Sequence, residues 1–518
     1  MNAFSDLSRA RRATWLVGLA SAALMSGCNG GGDDDGKPVS ALPQYSPQSQ
    51  CDALVGRRFE EAVVTKASLV SAASGVPEHC LVQGEMPQAL AFLLQLPTQW
   101  NKRTVFLGGG NFDGVLSIPV FEFSVSPDLK AAGYALISTN QGHNGITAGD
   151  ATFASNPGML HDWAYAAVPR VMAPAKAILR ERYGSEFEGT KTVFEGCSGG
   201  GRHALIQAQR HPDLFDGVIA REPALSFNAL FLRYQTINKV LAQPGGTLGA
   251  LKIQAIDKAV MAKCDSLDGV VDNIIGKPQS CNFDPVELAC TGAESASCLT
   301  PAQVRSARSV YAATSVANGR YTMGGFYPGG ELQGWNESIW TDQARDYITG
   351  MVAQSPSVDW LNLDPAAYTS RIDQLATMID AEDPDLSRFK ASGGKLLLWQ
   401  GLSDALVSAK HTTAYYESVV QKMNGQAATD DFMEYYTAPS VGHCGFESTG
   451  ADKVNLVGPM FDWIEKGIKP ATTQIVATQR TVPAGAAPGT RPLCRYPQYP
   501  RYIGGDVKVA ASFACTAP

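Results

Sequence analysis

Three residue types in a fixed chain order carry the reactive chemistry of this sequence: a serine, an aspartate and a histidine, each just past an apolar run. The serine lies in Thr192-Val-Phe-Glu-Gly-Cys-Ser-Gly-Gly-Gly-Arg-His-Ala204. A short apolar run ends there in Gly196-Cys197-Ser198-Gly199-Gly200 and the chain then turns helical, which is the G-x-S-x-G pattern of a nucleophile elbow. The flanking glycines let strand and helix meet at a sharp turn that lifts the Ser198 hydroxyl out of the sheet. The backbone N–H of Gly199 then points where an oxyanion would form.

A serine hydroxyl is a weak nucleophile until a base takes its proton. In an α/β-hydrolase the partners follow in the order Ser, Asp or Glu, His. Lys395-Leu-Leu-Leu-Trp-Gln400 reads as a buried strand running into a turn with Asp404, and Phe432-Met-Glu-Tyr-Tyr436 as the next strand, followed by a loop with His443. Parallel-sheet proteins place ligand chemistry just beyond the carboxyl ends of strands. His443 would take the serine proton and return it to the leaving alcohol. Asp404 would fix the imidazole tautomer and stabilise the imidazolium. An aspartate after a strand is often only a helix cap, and a histidine in a glycine-rich loop only a surface residue. Chain order and the shared strand-end context favour the catalytic reading.

Cys197 precedes Ser198 and Cys444 follows His443. If His443 meets Ser198, these neighbours are close too, and a disulfide needs Cα atoms only about 4.4–6.8 Å apart. Together these residues resemble the tannase and feruloyl esterase family, whose hallmark is Cys-Ser, Asp and His-Cys with the two cysteines bonded. Also similar are Phe215-Asp-Gly-Val-Ile-Ala220, a cysteine-rich aspartate loop over 264–281, and the tail Arg491-Pro-Leu-Cys-Arg-Tyr-Pro497. The resemblance implies an α/β-hydrolase fold over nearly the whole chain.

Arg103-Thr-Val-Phe-Leu107 reads as a strand feeding Gly108-Gly-Gly110-Asn-Phe112, where this fold supplies its second oxyanion N–H. The resemblance favours Gly110 over Gly109. Tyr134-Ala-Leu-Ile-Ser138 reads as the next strand, followed by His143, which could line a pocket but is expected to make structural hydrogen bonds. Helical periodicity runs over 161–183, with Gly184 suited to the C-cap. From about residue 224 to 392 clean strands give way to loops and scattered aromatics. The simplest account is a lid inserted between nucleophile and acid, which leaves 50–223 and 393–518 as the hydrolase domain. Most of its aromatics would be lid core and a minority would touch a ligand.

Within that lid, Asp265, Asp268 and Asp272 place three carboxylates in eight residues, a spacing that is not an EF-hand. The resemblance implies a structural Ca²⁺ site using these carboxylates with the carbonyls of Val270 and Ile274. No organic cofactor is implied.

The chain has 518 residues, 45% of them hydrophobic and 18% charged, with a net charge of −7. That is ample for a large buried core, and no basic patch marks a nucleic-acid partner. Arg9, Arg11 and Arg12 followed by an apolar run read as a signal peptide over 1–27. Met25-Ser-Gly-Cys28 resembles a lipobox, making Cys28 a lipidation candidate, and 28–49 reads as a flexible tether. Both predict an exported protein, periplasmic or anchored at the outer membrane, or secreted. Of 11 cysteines, setting Cys28 aside leaves an even number suited to disulfides in an oxidising compartment. Connectivity is not fixed by sequence. Proximity and the resemblance together favour Cys51–Cys80, Cys264–Cys281, Cys290–Cys298 and Cys494–Cys515 beside Cys197–Cys444.

These readings lead to an expectation of a serine carboxylesterase acting on small esters of aromatic acids: feruloyl or galloyl esters, or alternatively terephthalate monoesters. The resemblance would place a carboxylate-binding arginine after Gly334-Trp335 for the last class, and this chain has Asn336 there. A silent aromatic-glycan-binding module and a serine peptidase are the competing readings. An intact Ser, Asp and His disfavours the first, and no amine-terminus or proline pocket marks the second.

Overall fold

The computed structural model describes residues 46–119, 124–145, 150–332, 335, 337–482 and 487–518. The signal peptide, Cys28, most of the tether, Gly334 and Asn336 lie outside the described residues.

Alternating apolar residues build one sheet of eleven strands. In chain order these are β1 (Arg58–Phe59), β2 (Ala62–Val70), β3 (His79–Met86), β4 (Leu90–Pro97), β5 (Arg103–Leu107), β6 (Ala135–Thr139), β7 (Lys191–Cys197), β8 (Gly217–Arg221), β9 (Lys395–Gly401), β10 (Met433–Ala438) and β11 (Cys494–Arg495). They lie side by side as β1-β2-β3-β4-β6-β5-β7-β8-β9-β10-β11. The run from β6 to β10 is parallel. Antiparallel strands extend it at both edges. Arg103–Leu107, expected as a strand, is fifth in the chain. Leu90-Ala-Phe-Leu-Leu-Gln-Leu-Pro97 is buried on both faces, so it shows no period-two alternation to mark it as a strand.

Residues alternate between two cores, as a pleated strand requires. On one side Phe106, Ile137, Phe194 and Leu398 pack under helices α1 (Ala167–Tyr183) and α2 (Gly199–Arg210). On the other, Val105, Leu136, Val193 and Trp399 pack with Met460 and Phe461. The expected 161–183 helix is interrupted: a π-helical turn occupies Asp162–Ala166 before α1 begins. Gly184, at φ 59, ends it as expected.

Between β8 and β9 lie α3 (Phe227–Leu241), α4 (Ala250–Cys264), α5 (Pro301–Tyr311), α6 (Glu337–Asp346) and α7 (Thr369–Ile379), with a small hairpin of Thr314–Val316 and Tyr321–Met323. Their apolar faces share a third core, which also takes in Phe112, Phe153 and Trp163 from the strand-bearing part. Ala381, Leu386 and Phe389 pack instead with the sheet core. The last of these helices in the third core is α7, which ends at Ile379. Helix α8 (Ala409–Lys422) then follows β9.

Candidate active site

Ser198 sits between the last residue of β7 and the first of α2, with φ 60 and ψ −120. A non-glycine residue held there costs on the order of 1–3 kcal/mol. Three backbone bonds maintain it: Ser198 N donates to the Arg221 carbonyl at 3.0 Å, and the Ser198 carbonyl accepts from Arg202 N at 2.9 Å and Ala224 N at 3.1 Å. Glycine is required around it by close approach. A Cβ on Gly196 would lie 2.6 Å from the Gly200 carbonyl carbon, and one on Gly200 would lie 2.5 Å from the Gly109 oxygen. A Cβ on Gly199 would lie 2.9 Å from the Asn111 oxygen and 3.4 Å from the Gly110 carbonyl carbon. The two candidate oxyanion residues, Gly199 and Gly110, are therefore neighbours at the helix N-terminus, where free N–H groups favour negative charge.

Asp404 is buried in the turn after β9. Its Oδ1 accepts from Leu406 N and Val407 N, each at 2.8 Å. Its Oδ2 accepts from His443 Nδ1 at 2.8 Å and from Gln400 Nε2 at 3.3 Å. With Nδ1 so engaged, Nε2 is the ring nitrogen left for another partner. Ser198 and His443 line one cavity.

All five expected disulfides are present. Cys197–Cys444 joins residues 247 apart in sequence with a Cα–Cα distance of 6.0 Å. It clamps the serine turn to the histidine loop, where Cys444 itself holds φ 55. Cys197→Ala/Cys444→Ala is expected to destabilise the fold by about 2–5 kcal/mol and to lower kcat, since a loosened loop misplaces the base. Thermal unfolding and initial rates check this; a variant with unchanged Tm and kcat would refute the clamp.

The cavity at Ser198 is small, about 20 Å³. Its walls are mostly apolar: Phe227, Leu230 and Phe231 from α3, with Leu406 and Val407 from the acid loop. Two amides face it, Asn111 and Gln343, joined by a 2.7 Å hydrogen bond from Gln343 Nε2 to Asn111 Oδ1. Among the described residues lining it, none is a lysine, arginine, aspartate or glutamate. Of the aromatics between β8 and β9, Phe227, Phe231 and Tyr234 reach the cavity, whereas Phe326, Trp335 and Trp340 lie away from it in the third core. His143 does not line it. That ring stacks on Phe153 at 3.9 Å, and burial lowers its pKa to about 4. Asn111, Gln343, Leu406 and Val407 carried no signal in the sequence: only packing brings Gln343 of α6 to Asn111, and nothing local marks the other three as facing Ser198.

Asp265, Asp268 and Asp272 lie in one loop, the first two buried. Asp265 Oδ2 accepts from Asn273 N at 2.9 Å, and its Oδ1 from Ile274 N at 3.2 Å. Burial, with Asp272 and Asp265 nearby, pushes the Asp268 carboxyl up to about 7. Arg491 from the C-terminal tail pairs with Asp272. One cation facing three crowded, desolvated carboxylates leaves negative charge that a hard oxygen-seeking cation fits.

The chain is similar to known proteins over most of its length. The family model described as tannase and feruloyl esterase matches residues 74–516. The mono(2-hydroxyethyl) terephthalate hydrolase of Piscinibacter sakaiensis is 29% identical over 533 residues, covering 87% of each chain. A probable feruloyl esterase of Arthroderma benhamiae is 28% identical over 447 residues, covering 82% of this chain and 81% of the relative. Among solved structures, feruloyl esterase B from Aspergillus oryzae superposes with a TM-score of 0.79 at 23% identity, covering 91% of this chain and 100% of that one. Tannin acyl hydrolase from Aspergillus niger superposes with a TM-score of 0.72 at 21% identity, covering 91% and 95%. The elbow, the sheet that carries it and a family match over most of the length converge: this chain is a carboxylic ester hydrolase with an α/β-hydrolase fold and belongs to the tannase and feruloyl esterase family.

Proposed function

We propose that this protein hydrolyses esters of aromatic, phenolic acids through an acyl-enzyme on Ser198. The observation that carries this reading is the 2.8 Å bond from His443 Nδ1 to Asp404, in a site where His443 and Ser198 share one cavity. His443 Nε2 takes the Ser198 proton as Oγ attacks the ester carbonyl. The N–H groups of Gly199 and Gly110 hold the oxyanion, each worth roughly 3 kcal/mol. His443 then protonates the departing alcohol, and water repeats the sequence to release the acid.

The apolar, aromatic cavity favours a flat neutral acyl group, and the Asn111–Gln343 amides offer polar contacts to a phenol. The absence of lysine or arginine among the described lining residues favours phenolic esters over a terephthalate monoester, whose free carboxylate needs a cation. Ligand pockets run to several hundred Å³, more than this cavity offers. The test is hydrolysis of methyl ferulate, methyl gallate, mono(2-hydroxyethyl) terephthalate and an aliphatic 4-nitrophenyl ester, beside Ser198→Ala. Serine-dependent turnover of ferulate or gallate is expected to lead. Preference for the terephthalate monoester would replace the phenolic reading, and turnover of the aliphatic ester alone would remove the aromatic class. No turnover with no fluorophosphonate labelling would favour the silent binding module.

Asp265, Asp268 and Asp272, with the carbonyls of Val270 and Ile274, would hold the Ca²⁺. Bound there, the ion would offset the repulsion of the carboxylates and tie α4 to the tail through Asp272 and Arg491. Chelation with EGTA is expected to lower Tm by several degrees, with recovery on adding Ca²⁺ but not Na⁺; an unchanged Tm would remove the metal from this loop. Five disulfides support an oxidising, exported location, with Cys28 as the lipid attachment.

A further inference from the structure

The residues proposed for catalysis follow the carboxyl ends of neighbouring parallel strands: Ser198 after β7, Asp404 after β9, His443 after β10. Strand β8 lies between β7 and β9, and the residue that follows it is Glu222. Glu222 is 0% exposed and holds φ 39. Its backbone N donates to the Trp399 carbonyl at 2.7 Å. Its Oε1 accepts from Gly401 N at 2.8 Å, and its Oε2 accepts from Cys444 N. The same Oε2 lies 3.5 Å from His443 Nδ1. Only glycine at 401 leaves room for this, since a Cβ there would lie 2.4 Å from Glu222 Oε1. One carboxyl thus bridges the acid loop, three residues before Asp404, and the histidine loop, one residue after His443.

We infer that Glu222 is a positioning residue of the reaction: a second buried carboxyl that fixes the histidine loop against the acid loop and stands beside Asp404 at His443 Nδ1. The inference rests on the Ser198–His443–Asp404 reading. A brace alone would not need an ionisable group, because a neutral carbonyl can satisfy an N–H. A carboxyl here places a second titrating site against the imidazole. Burial and the charge of Asp404 hold Glu222 well above the ordinary carboxylate range, against the opposing pull of the Cys444 and Gly401 amides and of Arg221. The other groups facing it are few. Arg221 on β8 is engaged by Glu195 at 2.8 Å and stacks over Trp399. Cys197 and Cys444 are tied in their disulfide and do not titrate. The Tyr234 phenol facing Asp404 is held neutral by burial and by that charge.

Two carboxyls thus stand at one imidazole nitrogen, Asp404 at 2.8 Å and Glu222 at 3.5 Å from His443 Nδ1.

Glu222→Gln tests this, because glutamine offers one acceptor and one NH₂ to two backbone donors and cannot ionise. With 4-nitrophenyl acetate, kcat is expected to fall about ten- to a hundred-fold with KM within about twofold. The pH profile of kcat/KM and of fluorophosphonate labelling should differ between wild type and variant, because glutamine removes an ionisable group beside His443. A variant with wild-type kcat and an unaltered profile overturns the inference. If the variant does not fold, Glu222→Asp, whose carboxyl falls one carbon short of the two loop amides, is measured in its place, and wild-type kcat with an unaltered profile there overturns it. Ser198→Ala separates the two readings: an active Ser198→Ala removes the catalytic assignment itself, whereas an inactive one beside an unaltered Glu222→Gln removes Glu222 alone.

Discussion

Ser198→Ala is expected to reduce kcat for the preferred aromatic ester by about 10⁵- to 10⁶-fold, the loss typical when a nucleophile is removed from a serine triad. Alanine keeps the Cβ and the backbone of the elbow, so the bonds from Ser198 N to Arg221 and from Arg202 and Ala224 to the Ser198 carbonyl remain. Unfolding should therefore be unchanged within about 0.5 kcal/mol, the range for a substitution that creates no cavity or buried unpaired group. KM should also hold, because the apolar walls of Phe227, Leu230 and Phe231 are untouched. Wild-type protein should show a burst of alcohol release with an activated ester, and the variant none. The measurement is initial rates with unfolding curves on the same preparations. A variant that retains more than about one part in a hundred of kcat would show that another nucleophile acts.

Much of this site is written locally, which is why it can be read from residues. The elbow is a contiguous pattern: an apolar run, glycines at the points of closest approach, then a helix. Asp404 and His443 follow runs whose apolar continuity marks buried parallel strands. The paired cysteines report tertiary proximity directly, since Cys197 and Cys444 meet only if Ser198 and His443 do. Glu222 follows a strand end just as the others do. Yet nothing in Ala220-Arg-Glu-Pro223 distinguishes a buried carboxyl from an exposed one. That distinction comes from Gly401 and Cys444, which are 179 and 222 residues away. The cavity walls are equally non-local, because Gln343 reaches Asn111 only once α6 has packed over α3. The antiparallel strands ahead of Arg103 were hidden for another reason. In β4 both faces are covered, so the period that would identify a half-buried strand is absent. The extent of the segment between β8 and β9 as a separate unit is equally non-local, because its helices share a core with Phe112, Phe153 and Trp163 from the strand-bearing part.

Asp404→Asn is expected to lower kcat by about 10⁴-fold with the fold intact. The reason lies in how the carboxylate is held. Oδ1 accepts two backbone N–H groups, from Leu406 and Val407, each at 2.8 Å. An asparagine satisfies these only by placing its carbonyl oxygen there, which turns its NH₂ toward His443. Nδ1 must then accept rather than donate, so the imidazole proton moves to Nε2. A protonated Nε2 cannot take the proton of Ser198, and the base is disabled by its tautomer. The opposite rotamer would restore an acceptor for Nδ1 but would press NH₂ against two backbone donors, leaving them unpaired in a buried turn at about 1–3 kcal/mol each. Asp404 does not line the cavity, so KM should stay within about threefold while kcat collapses, the mark of an interaction used only in the transition state. Rates measured for wild type, Asp404→Asn and Asp404→Ala on one ester decide the point. A loss under about tenfold in Asp404→Asn would mean that Asp404 does not set the histidine tautomer.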